Sequence, residues 1–272
     1  MTHVAALARY PVKACAAEAL DASDVDVAGF PHDRSMAVVV GEEIVTQREH
    51  AVLATVRPTL DDASLRLSLD GRPGAGSVAG VVRFEGPTRR VTLFGEPVEV
   101  VDQEAALSEW FSDLLGRPAA LVAAPESTRR TSPGAVTGQT VLSDEGTVSL
   151  HSLASLASLN RLLVERGEAA VPPDRFRANI VVDGCTAHAE DGWDRVEVGG
   201  AVLRFAQTNG RCAVTTVDQR AGCRSGPEPL RTLARVRRAP TGGVLFGVYL
   251  ALEGAGRVRL GDPVRADARS AR

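Results

Sequence analysis

Lysine is nearly absent from this 272-residue chain: among 31 basic residues, Lys13 is the one lysine and the others are arginine. Arginine is a bulky planar fork, while an ammonium is a compact point charge with three rotatable donors. Two explanations stay open on this fact alone. Either a surface lysine has survived by chance in a sequence biased toward Arg, Ala, Gly and Val, or a cramped site holds an oxygen that only an ammonium reaches. Cysteine is scarce as well, with Cys15, Cys185, Cys212 and Cys223 and no CxxC pair. In a cytosolic chain of this size that predicts free thiols, not a disulfide framework. The five histidines show neither HxxxH nor HExxH spacing, which speaks against a structural zinc site.

A basic excess is missing too. The formal net charge is -3, so no electrostatic footprint for nucleic acid is expected. No apolar run approaches the roughly 18 residues of a membrane span. The opening MTHVAALARYPVKAC has no apolar stretch behind a basic start, so no secretory signal is read there. The expectation is a cytoplasmic protein without a membrane or nucleic-acid partner.

What is present suits an ordinary globular protein, with 44% hydrophobic and 24% charged residues. The length allows two modest domains or one large one. The first hundred residues read as short strands: VAALARYPVK, SMAVVV, EEIVTQ, ASLRLSLD, VVRFEG, RRVTLFG and PVEVVD. Turn residues such as Asp70–Gly71 and Phe94–Gly95 separate them. The glycine-rich segment 71–80 (GRPGAGSVAG) lacks the lysine and hydroxyl of a phosphate-binding loop and takes no phosphate role. A helix is predicted next, with Asp102 as N-cap, Ala105 or Leu107 and then Trp110, Phe111, Leu114 and Leu115 on its apolar face, and Gly116 at its end. Residues 124–140 read as a polar loop carrying Arg129 and Arg130. After the strand TVSLH, Ser152 caps a second helix with Leu153, Leu156, Leu159 and Leu163 as its stripe and Gly167 closing it. FRANIVVDG reads as a buried strand with a polar entrance, and RVEVGG with AVLRFAQ as a hairpin through Gly199–Gly200. CAVTTVD is expected to be a strand, with Thr215 and Thr216 packing it, and EPLRTLARVRR a helix. GVLFGVYLALEG and RVRLGDPV close the fold as strands, and the tail RADARSAR is expected to fray.

The chemistry gathers at strand ends. YPVK presents Lys13, HDRSM presents Asp33 and Arg34, VTQRE presents Arg48, FRAN presents Arg177 and Asn179, and NGRC presents Arg211 and Cys212. Arginine forks and a lysine bind phosphate well. A thiol beside a guanidinium is the type of sulfur that ionises and attacks or ligates. Taken alone, Cys212 fits a small buried hydrophobe as well as a nucleophile, since no His-partner signature accompanies it. Together the strand ends point to an anionic cofactor with a phosphate at one end and a thiol-seeking centre at the other.

YPVKAC, DRSMAVV, VTQRE, LSDEGTVSLHSLASLASLN, FRANIVVDGC, EDGWDRVEVGG, RCAVTTVDQRAG and LFGVYLALEGAGRVRLGDPV, in that order, resemble the MOSC family. The likeness is to its amidoxime-reducing branch and covers nearly the whole chain. It implies an α+β, mostly β fold of two β-barrel-like units with a few peripheral helices, an amino-terminal domain over 1–118 and a MOSC domain over 119–272. It implies a molybdenum cofactor (molybdopterin with Mo), ligated by Cys212 as the catalytic thiolate, a soft donor suited to the metal. Lys13, Arg34, Arg48, Arg177, Asn179 and Arg211 match the cofactor-anchoring positions, and Asp144 matches an acceptor for pterin N–H groups. Two departures stand out: Ala14 and Gly210 replace serines common in the family, and at Ala14 the loss is a hydroxyl donor to the phosphate, worth on the order of 1 kcal/mol. Cys15, Cys185 and Cys223 read as packing or loop thiols without a role.

The implied activity is oxidoreductase: removal of oxygen from small N-hydroxylated substrates. No C-x4-C-x2-C run is present to hold a plant-type cluster, so a separate ferredoxin or flavin reductase is expected as electron donor. The alternative of another class is a sulfur carrier using a persulfide on Cys212. A third is a cofactor-binding chaperone without turnover.

Overall fold

The computed structural model describes residues 1–69, 76–240 and 242–269. The first half centres on a closed barrel of five strands: Glu96–Asp102, Ala120–Ala123, Met36–Val40, Glu43–Ile44 and Thr88–Leu93. Met36–Val40 shows why a chain so rich in Val closes this way. Side chains alternate across a strand, so Ala37 and Val39 join Val91, Leu93, Val98 and Val100 inside the barrel, while Met36 and Val38 face a second core outside it. That outer core holds Leu107 and Phe111 of helix α1 (Ala105–Leu115) and Leu60, Leu65 and Leu67 of a three-stranded sheet. Truncating the fully buried Phe111 to alanine is expected to cost about 3–5 kcal/mol.

The second half is an eight-stranded sheet. Its order is Glu18–Leu20, His3–Arg9, Ile180–Asp183, Val148–Ser152, Val244–Gly254, Ala201–Arg211, Trp193–Val198 and Val264–Ala268. All of its pairings are antiparallel except Val148–Ser152 with Ile180–Asp183. Helix α2 (Leu153–Val164) makes that parallel crossover. Ser152 Oγ accepts from Ser155 N, as the sequence predicts. The buried Glu190 carboxylate accepts from Ser152 N at 3.1 Å and Ser155 Oγ at 2.6 Å, placing a carboxylate at the helix's positive end. The two halves exchange strands: His3–Arg9 lies in the large sheet, and Ala120–Ala123 completes the barrel.

The mostly β architecture, the barrel and the few helices agree with the sequence reading. The Phe94–Gly95 turn, the Gly199–Gly200 hairpin and the left-handed Gly116 after α1 also stand. Five local expectations need correction. Asp102 is the last residue of a strand and pairs with Arg89, and Glu104 holds the N-cap position without a side-chain bond. Residues 124–140 contain a small hairpin of Arg130–Ser132 with Gly138–Thr140, because Arg130 is anchored on Ser143 O. CAVTTVD begins as a 3-10 turn over Ala213–Thr216. Thr215 Oγ1 and Thr216 Oγ1 bond back to Cys212 O and Ala213 O at 3.0 and 2.7 Å, and such hydroxyls compete with a sheet ladder. In VVRFEG only Val81 belongs to a strand, Val78–Val81. The polar tail supplies the edge strand Val264–Ala268, which pairs along Trp193–Val198 through backbone bonds that ignore side-chain polarity. The Asp70–Gly71 turn, positions 71–75 of the glycine-rich segment and the last three residues lie outside the described residues.

Candidate functional site

A cavity of about 290 Å³ opens where barrel loops meet the end of the large sheet. Seven of the eight sequence-predicted residues line it: Lys13, Arg34, Arg48, Asp144, Arg177, Arg211 and Cys212. Each arrives by a distinct local device. Residues 12–15 leave the first strand and are strapped to the barrel, with Lys13 N donating to Met36 O at 2.7 Å. Arg48 sits in a turn held by Glu49 Oε2, which accepts from Thr46 N and Thr46 Oγ1, both at 2.9 Å. Ala14, Arg34 and Arg177 take left-handed backbone conformations, with φ of 68°, 50° and 51°. Such strain in non-glycine residues collects at functional sites. Cys212, half-buried, follows the last residue of Ala201–Arg211 and opens the 3-10 turn. Gly146 is required in the Asp144 loop: its φ is 65°, and a Cβ there would run into the Tyr249 ring.

The outer wall is a chain of opposite charges. Lys13, only 3% exposed, pairs with Asp144 and donates to Leu142 O at 2.8 Å. Asp144 Oδ2 accepts from Arg48 Nη2 at 3.2 Å, and the same nitrogen lies 3.3 Å from Cys212 Sγ. Burial alone would raise the Asp144 pKa, but Lys13 and Arg48 override it and hold the carboxyl below its usual range. Burial also opposes charge on Arg48, yet Cys212 and Asp144 outweigh it and raise the guanidinium's pKa. For Lys13 burial wins over Asp144, and its pKa is lowered. The half-exposed Phe94 ring lies over both cations, at 5.1 Å from Lys13 Nζ and 5.0 Å from Arg48 Cζ.

The floor is different. Arg34 and Arg177 both lie over the Tyr10 ring, each 4.4 Å from its centroid. Arg34 pairs with Asp33. Arg177 donates to the neutral Gln219 Oε1 at 3.4 Å. Arg211 donates to two carbonyls, Phe246 O at 2.8 Å and Phe176 O at 2.9 Å, and its Nη2 is buried with no partner among the described residues. Burial lowers the Arg177 pKa and brings Arg211 down to about 10. These two cations lack the carboxylate that would make such burial cheap.

Asn179 is the predicted residue that does not line the cavity. It is 2% exposed, and its Oδ1 accepts from Ser149 N and Ser149 Oγ while Nδ2 donates to Ala8 O. It ties three strands of the sheet together behind Arg177. Sequence reasoning missed Gln47, Arg175, Asn209 and Tyr249, which do line it. Gln47 and Gln219 exchange amide hydrogen bonds of 3.0 and 2.9 Å across the two halves. Gln47, Arg175 and Asn209 sit inside or beside VTQRE, FRAN and NGRC, so adjacency to those motifs was the available signal. Among the described residues no cluster of three or more His, Cys, Asp or Glu is placed to hold a metal ion.

Comparison with known proteins matches residues 1–118 to the MOSC N-terminal beta barrel domain and residues 137–265 to the MOSC domain. The human mitochondrial amidoxime-reducing component 1 is 31% identical over 96% of this chain and 82% of its own length. The molybdenum cofactor sulfurase of Oryza sativa subsp. japonica is 30% identical over 92% of this chain, which spans only 32% of that longer protein. Among solved structures, the YUAD protein from Bacillus subtilis aligns over 99% of this chain and 98% of its own, at 15% identity and a TM-score of 0.47. With two domain matches in order and a relative 31% identical over 96% of this chain, this chain belongs to the family of MOSC-domain proteins.

Proposed function

We propose that the cavity holds a molybdenum cofactor and that the protein reduces small N-hydroxylated compounds such as amidoximes. The observation that carries this reading is the charge imbalance of the lining. Six cations (Lys13, Arg34, Arg48, Arg175, Arg177 and Arg211) face two carboxylates, Asp144 and Glu145. The buried, unpartnered Arg211 Nη2 adds a donor that waits for an acceptor. A phosphate-bearing group fits that floor, and the Cys212 thiol at the rim fits a soft metal.

In this proposal Lys13, Arg34, Arg177 and Arg211 hold the phosphate end, Asp144 accepts from pterin N–H groups, and Cys212 ligates the metal. Asn179 supports Arg177 from behind. When bound, the cofactor supplies a two-electron metal centre able to take the oxygen of an N–O bond. The chain's own residues bind and orient. Arg48 donates toward Cys212 Sγ, Asp144 keeps Arg48 in that place, and Lys13 fixes Asp144. In this proposal electrons come from a separate ferredoxin or flavin reductase. The proposal keeps 1–118 and 119–272 as the domain division and the cytoplasm as the location. Among the described residues no helix is long and apolar enough to cross a membrane.

The test is reduction of benzamidoxime to benzamidine by protein made in a host that synthesises molybdopterin, with a chemical reductant supplying electrons. Turnover by the wild type and its loss in Cys212→Ser is the expected result. Molybdenum-loaded wild type that leaves benzamidoxime intact would end the reductase reading, and turnover with NADH alone would end the need for a separate donor. The sulfurase relative favours a second reading, a Cys212 persulfide carrier. Labile sulfane sulfur on purified protein that lacks molybdenum is its signature.

A further inference from the structure

Asn209 is 1% exposed and lines the cavity, yet both its side-chain Oδ1 and Nδ2 are buried without a hydrogen-bond partner among the described residues. Buried amides are almost always paired, and an unpaired one calls for a specific cause. Its place in the sheet supplies one. The ladder between Ala201–Arg211 and Val244–Gly254 is irregular here: Thr208 pairs with Val248 and Gly210 with Leu245, so Phe246 and Gly247 together oppose Asn209. Gly247 has φ of 72°, and a Cβ on it would come within 2.5 Å of Leu150 O, so the irregularity is built in. Bulges of this kind re-aim side chains beside binding sites. Asn209 and Arg211 are two residues apart on one strand and so share a face. Each carries an unpartnered buried polar nitrogen, and both line the same cavity.

We propose that Asn209 reads the ligand: its amide pairs, donor to acceptor and acceptor to donor, with the polar edge of a bound heterocycle, while Arg211 takes an anionic group of the same molecule. The complementary chemistry is a planar ring edge presenting a carbonyl next to an N–H, as on the pyrimidinone of a pterin. This rests on the cofactor reading above and extends it to a residue outside the matched anchoring positions. In the empty pocket the amide is a liability, because desolvated polar groups without partners destabilise a fold. A leucine of similar size removes that liability and the recognition with it.

The experiment compares wild type, Asn209→Leu and Asn209→Ala in two preparations of the full chain. From a molybdopterin-making host, pterin per chain is measured by fluorescence after release. From a host unable to make it, Tm is measured on cofactor-free protein. Expected are a roughly tenfold fall in retained pterin for both variants, the scale of one lost pair of hydrogen bonds, and a cofactor-free Tm for Asn209→Leu equal to or above wild type. Wild-type pterin content in either folded variant would overturn the inference. So would a drop in Tm of cofactor-free Asn209→Leu in step with pterin loss, which is the behaviour of a structural amide. Wild type that retains no pterin would instead remove the cofactor reading itself, and this inference with it.

Discussion

The two sides of the pocket solve opposite problems with the same residue types. On the outer wall Lys13 meets Asp144 and Asp144 meets Arg48, whose Nη2 also lies beside Cys212 Sγ. Water reaches that wall, since the Asp144 side chain is 40% exposed. On the floor Arg177 and Arg211 are held by neutral acceptors alone, and the layer beneath is buried and aromatic. Phe176 and Phe246 stack at 4.0 Å, and His151 packs 5.8 Å from Phe176. The wall residues are already paired with one another, whereas the floor keeps buried positive charge that an anion would complete. Substitutions on the two sides should therefore separate.

The largest expected effect tests the burial of the layer beneath the floor. His151 is fully buried, and burial lowers its pKa to about 4. The unfolded chain binds its proton below about 6.5 while the fold resists it down to about 4, so stability is full above pH 6.5 and falls as pH drops through that window. The loss should total about 3 kcal/mol by pH 4. Urea titrations across pH should show it, and His151→Phe should flatten the slope by one proton. A wet floor would leave the slope unchanged.

Next comes the direct comparison of one floor cation with one wall cation. Arg211→Met strips donors from Phe246 O and Phe176 O and is expected to cost about 2–3 kcal/mol. Arg48→Met breaks a partly exposed pair and should cost at most about 1 kcal/mol. Equal losses in chemical denaturation would erase the distinction between the two sides. The smallest effect belongs to Asp144. Its depressed pKa means that its contribution is present above the unfolded value of about 4 and disappears as pH falls through the folded one. Discounted for solvent, Asp144→Asn should remove about 0.5–1 kcal/mol of acid-sensitive stability. An acid limb steeper in the variant than in the wild type would contradict the pairing.

Much of this was legible in the sequence because it rests on local grammar. Alternating Val and Leu, the Gly199–Gly200 hairpin, the Ser152 cap and the solitary Lys13 were all readable, and Lys13 is a buried ammonium paired with the more exposed Asp144. What escaped was decided by hydrogen bonds that a hydrophobic pattern does not show, some local and some tertiary. The Thr215 and Thr216 hydroxyls turned an apparent strand into a 3-10 turn, and an edge pairing recruited a polar tail. Asn179 reads like a pocket residue beside Arg177, yet its amide is spent on Ser149 and Ala8. Asn209 opens NGRC without drawing a role from the sequence, and only its burial without partners among the described residues marks it.

The central claim is that the floor is built for an anionic, metal-bearing group whose metal sits on Cys212. It is tested most directly by counting molybdenum and pterin per chain in wild type and Cys212→Ser, both purified from a host that synthesises molybdopterin. Near-stoichiometric pterin and metal in the wild type, with the metal or its thiolate signature lost in the variant, is the predicted result. Well-folded wild type carrying neither would contradict the account.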